Sequence, residues 1–102
     1  MLFRSEQPVA VPADLNYELW LGPAPHRPFT PTLTDAQVWR QIRDFSGGSL
    51  TDWGAHLVDT AQVGNFAEET SPVAVTGRGL IPPNSMNTVP RTYEIKIGRA
   101  HV

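Results

Sequence analysis

The sequence predicts an α/β chain of the α+β kind, and three observations predict it. Residues 49–64 carry apolar side chains at helical spacing, residues 72–77 and 91–97 read as strands, and a proline-rich stretch precedes them all. At 102 residues the chain is sized for one small domain. Its 40% apolar and 18% charged residues belong to a folding chain, not a disordered one. A formal net charge of −2, with no cluster of Lys or Arg, argues against a nucleic-acid or anionic-membrane partner. No apolar run is long enough to span a bilayer. Cysteine is absent, which removes disulfides, thiolate zinc sites and a cysteine nucleophile.

Ten prolines are many for this length, and Pro8, Pro12, Pro23, Pro25, Pro28 and Pro31 fall in the first third. Proline neither continues a helix nor sits centrally in a sheet. Residues 6–34 are therefore expected to form an extended segment laid over something larger. Next, DAQVWRQIRDF (35–45) places Val38, Trp39, Ile42 and Phe45 at helical spacing, with Thr34 or Asp35 as cap. An extended reading of the same stretch is open, because these side chains also suit strands. After Ser46-Gly47-Gly48 comes the helix at 49–64, ended by Gly64 and Asn65. PVAVTG (72–77) reads as a short strand. RTYEIKI (91–97) alternates Tyr93, Ile95 and Ile97 against Thr92, Glu94 and Lys96. The intervening Gly77-x-Gly79 starts like a dinucleotide fingerprint, but Pro82 and Pro83 replace its third glycine and helix, so a turn is expected there.

The chemistry concentrates on the helix at 49–64. Ser49 with Asp52 matches a capping box. At about 100° per residue, Asp52, His56 and Asp59 fall within roughly 60° of one another. Leu50, Trp53, Gly54, Leu57, Val58 and Ala61 lie on the other side, as the packed face. Such a stripe is also what the wet side of any amphipathic helix displays, with Asp52 a mere cap. As chemistry, His56 is the natural acid/base near neutral pH, with Asp52 one turn away to orient it. Gly47-Gly48 would admit a ligand near the helix start. No third neutral ligand accompanies an Asp/His pair, so no metal site is expected.

LNYELWLGPAPHRPFTP (15–31), DFSGGSLTDWGAHLVDTAQVGN (44–65) and SPVAVTGRGLIPP (71–83) together resemble the Gfo/Idh/MocA oxidoreductases of the bacterial type. The likeness runs from about Ser5 to Ile95 and keeps the family's motif order. It implies part of a C-terminal mixed-sheet domain over residues 1–96, with the Rossmann domain absent. It implies a nicotinamide cofactor, NAD or NADP, held by that missing domain and not by this fragment. The substrate it implies is a small sugar- or cyclitol-like alcohol, and the parent protein is expected to form homo-oligomers.

The family's D-x-x-x-H pair falls on Asp52 and His56, which become the catalytic pair. Asp59, Arg40 and Trp53 match positions near the substrate. The reading is a fragment of an NAD(P)-dependent oxidoreductase, inactive alone. The alternatives are an NAD-dependent glycosidase on the same scaffold, or a non-catalytic binding or oligomerisation module. The closing IGRAHV (97–102) matches the translation of a common sequencing adapter. Residues 97–102 are accordingly expected to be read-through, which would leave His101 without a role.

Overall fold

The computed structural model describes residues 4–67 and 69–98. Five elements follow in order: α1 (Tyr17–Leu21), α2 (Ala36–Trp39), α3 (Trp53–Gly64), β1 (Ala74–Leu80) and β2 (Thr92–Gly98). The two strands pair antiparallel, Ala74 opposite Gly98 and Leu80 opposite Thr92. His101 lies outside the described residues, and of the 97–102 stretch only Ile97 and Gly98 are described, inside β2.

The proline-rich segment is not extended throughout, as its composition predicts, because it carries α1. Asn16 caps that turn by accepting from the Leu19 N–H at 3.1 Å. Once helical, Tyr17 and Leu21 stand one turn apart and both reach the interior. The Tyr17 hydroxyl donates to the Arg27 carbonyl at 2.7 Å, folding the prolines back over the turn. Only the residues before α1 form a strap. There Val9 N–H donates to Phe29 O at 2.9 Å, and Arg4 bridges to Ser85.

The core is built where α2 meets this segment. Asp35 provides the cap, accepting from Gln37 N–H at 2.8 Å. The helix is shorter than the 35–45 spacing suggests, and turns carry the chain onward from Arg40. Val38 and Ile42, four residues apart, nevertheless reach the same interior as Leu33, and the three are 0–1% exposed. Phe29, Tyr17, Leu21 and Met86 complete the cluster. Met86 arrives on the connection between the strands. Thr88 N–H donates to Gln41 O at 2.9 Å and its hydroxyl accepts from Arg43 N–H at 2.7 Å, fastening that connection to the α2 turn. Gly48 closes the joint. Its φ of +76° and the 2.5 Å approach that a Cβ would make to Val89 both require glycine.

Three further expectations change. The helix begins at Trp53, not Ser49, because residues 49–52 form a preceding turn in which Gly54 N–H donates to Ser49 O at 2.9 Å. Its apolar side is not packed: Trp53 is 68% exposed, Leu57 69%, and Val58 and Val63 over 40%. No residue of α3 is buried, whereas α1 and α2 send Tyr17, Leu21 and Val38 into the core. Gly77 and Gly79 lie inside β1, not in a turn, since the strand runs on to Leu80. The molecule is correspondingly elongated. Its radius of gyration is 17.5 Å, against about 13 Å for a compact domain of this length.

Leu33→Ala should lower the unfolding free energy by roughly 2–5 kcal/mol in urea denaturation, as for a fully buried leucine. Leu57→Ala should change it by no more than about 0.5 kcal/mol.

A second prediction concerns the strap. Glu6 accepts from the Thr32 hydroxyl and from the Thr32 N–H, the latter at 3.1 Å. The hydroxyl bond above all, with the N–H bond adding to it, holds the Glu6 carboxyl below its ordinary value of 4.5 against the opposing effect of burial. A carboxyl whose folded pKa is depressed stabilises the fold above its unfolded value and loses that contribution as pH falls through the folded one. Between about pH 6 and pH 3, the wild-type chain should therefore lose more stability than Glu6→Gln in matched denaturation curves.

Candidate active site

Asp52 precedes α3 as its N-cap and His56 and Asp59 lie along it, and the three have different surroundings. Asp52 is the N-cap residue, but its carboxylate makes no cap hydrogen bond. It instead accepts from the Arg40 guanidinium at 3.2 Å, Nη1 to Oδ2. The expected capping box does not form, since Ser49 lies in the turn before the helix and donates its hydroxyl to Tyr93 OH at 3.3 Å. Arg40 is well placed to hold Asp52. It follows directly on α2, between the buried Val38 and Ile42, so the core fixes its backbone while its side chain stays half-exposed.

His56 is exposed, with its ring 5.4 Å from that of Trp53 and tilted by 52°. No ion pair joins His56 to Asp52 or Asp59 among the described residues. Asp59, a turn further on, is exposed. Of the five residues singled out by sequence, the structure thus links Arg40 with Asp52 and Trp53 with His56, and leaves Asp59 apart. A free imidazole beside an aromatic ring can exchange a proton with a bound hydroxyl. A carboxylate anchored by a guanidinium supplies a fixed negative charge and an acceptor.

A cleft of about 280 Å³ opens beside the start of the helix, between Gly47 and Leu50 on one side and Gly77, Gly79, Tyr93 and Ile95 on the other. Gly47 lines this cleft as the sequence suggests, whereas Gly48 is buried against Val89. Tyr93 is the residue that sequence reasoning missed. Strand alternation marked it as one of the apolar set, and only the contact with Ser49 brings its hydroxyl to the helix. No group of three or more metal-ligating side chains comes together among the described residues, and no helix there is long and apolar enough to cross a membrane.

Comparison with curated proteins and with solved structures returned no match. Residues 4–90 match the Gfo/Idh/MocA family described as "Oxidoreductase family, C-terminal alpha/beta domain". That span takes in α1, α2, α3, β1 and the connection fastened by Thr88, and so the chain belongs to the Gfo/Idh/MocA oxidoreductases, matching their C-terminal α/β domain.

Proposed function

We propose that this chain is the substrate-side half of an NAD(P)-dependent oxidoreductase acting on a sugar- or cyclitol-like alcohol. Its own part of the chemistry is the movement of one proton by His56. The observation that carries this reading is the exposed His56 imidazole beside Trp53, four residues beyond a carboxylate that Arg40 already holds. The alcohol hydroxyl meets the imidazole, which takes its proton on oxidation and returns it on reduction. Imidazole suits this because it exchanges a proton near neutral pH. Trp53 offers a face for the carbon skeleton, and Asp52 accepts from a neighbouring hydroxyl.

The described residues do not fit a dinucleotide. Gly77 and Gly79 are strand residues paired with Ile95 and Tyr93. A Cβ on Gly79 would meet Pro90 at 2.6 Å, so strand-to-proline packing, not a phosphate, explains that glycine. The chemistry of these residues therefore ends at the proton, and the chain alone is expected to be inactive.

In the intact enzyme carrying this domain, His56→Ala should lower kcat by roughly 10²–10⁴-fold, the usual contribution of a positioned acid/base. Dinucleotide affinity should stay unchanged in a fluorescence titration. Undiminished turnover would remove His56 from the mechanism. Arg40→Ala should behave differently. Because both partners are substantially exposed, its stability cost should stay below about 1 kcal/mol. Its kcat should nevertheless fall, because Asp52 loses its anchor, and comparing thermal unfolding with steady-state rates separates the two effects.

A further inference from the structure

A second cleft, of about 300 Å³, lies between the end of α1 and the turn that follows α2. Its walls are Trp20, Trp39, Phe45, Pro23 and Ala24, with the Asp44 carboxylate at one side. None of these residues belongs to the Asp52–His56 stripe. The aromatic walls are braced from behind. Trp20 stacks on Tyr17 with centroids 6.0 Å apart and meets the Phe45 ring edge-on at 5.2 Å. The Arg40 guanidinium lies over the Trp39 ring, 5.7 Å from its centroid. Three polar groups in the walls are unspent: Asp44 makes no hydrogen bond or ion pair, and neither indole N–H of Trp20 and Trp39 has an acceptor, among the described residues.

We propose that this cleft binds a single neutral pyranose ring. The fit is chemical. A pyranose presents a face of C–H groups, which packs on an aromatic surface, and a rim of hydroxyls, which both donate and accept. The rim can donate to the Asp44 carboxylate and accept from an indole N–H, so a neutral polyol matches both kinds of polar group that the lining residues carry. A volume of about 300 Å³ is at the low end for ligand clefts, roughly 300–1,000 Å³, and suits one ring. An anionic ligand is opposed by Asp44. A quaternary ammonium is opposed by the Arg40 charge that already lies over the Trp39 ring.

The three tryptophans make the test self-reporting, because Trp53 stands at His56 while Trp20 and Trp39 line this cleft. Their indole N–H signals are assigned in the full chain by single Trp→Phe variants and followed during titration with methyl β-glucopyranoside. The Trp20 and Trp39 signals should shift and saturate, with a dissociation constant on the order of 1 mM. Asp44→Ala, at an exposed position that leaves the core intact, should weaken that binding about tenfold. Failure of both signals to move, or an affinity unchanged in Asp44→Ala, overturns the proposal. A shift of Trp53 alone overturns it too, while leaving the His56 reading in place. Choline moving Trp20 and Trp39 where the glycoside does not would make the cleft a cation site and equally overturn it.

Discussion

The burial of Leu33, Val38 and Ile42 governs where everything else in this molecule can go. These three side chains are the most completely removed from water, and they come from a stretch of ten residues. Such a core can be closed only by segments folding back on it. The α1 turn does so from one side with Tyr17 and Leu21, and the strand connection does so from the other with Met86 and Val89. Thr88 fixes the second closure through two hydrogen bonds to the α2 turn. Gly48 is drawn in as well, because Val89 leaves no room for a side chain there. The chain is therefore held against the core at Gly48, five residues before α3 begins, and the Arg40–Asp52 pair ties the cap of the helix itself.

Beyond that joint, burial stops. A helix of 12 residues is marginal in water without a packed face. A two-stranded antiparallel pair is marginal for the same reason. Both α3 and the β1–β2 pair leave their apolar side chains largely exposed, as Leu57, Val75 and Leu80 show at 60–69%. Local devices hold them instead. Asn65 Nδ2 donates to Ala61 O at 2.8 Å at the end of the helix, and Arg78 pairs with Glu94 at 2.9 Å across the strands. Exposed pairs of this kind contribute little. Stability is thus graded along the chain, and the segment that carries His56 sits at its weaker end.

This grading also explains what could be read in the sequence. Alternation placed both strands within two or three residues, because cross-strand pairing acts on nearest neighbours and leaves a local signature. Asp35 as a cap and Gly64-Asn65 as a stop were equally local. The α1 turn was hidden by its prolines, since its helical character depends on Tyr17 and Leu21 finding the core and not on five residues of propensity. The late start of α3 was hidden for a related reason. Ser49 has the composition of a cap, but a distant partner, Tyr93, takes its hydroxyl. Of the candidate site, motif likeness nominated the residues but said nothing of their contacts. The Arg40–Asp52 contact was not legible, because it joins residues on separate elements by way of the core.

That contact changes what the Asp/His pair can mean. On an ideal helix Asp52 and His56 face the same way, which suggests a carboxylate that orients an imidazole directly. With Asp52 at the cap position and turned to Arg40, the carboxylate's first obligation is to the guanidinium. The imidazole is left unencumbered, with an aromatic neighbour and no carboxylate bound to it. Under the proposed function, that leaves the imidazole nitrogens open to a substrate hydroxyl. The geometry thus parts the two residues: Arg40 holds the Asp52 carboxylate, while His56 keeps only its ring contact with Trp53.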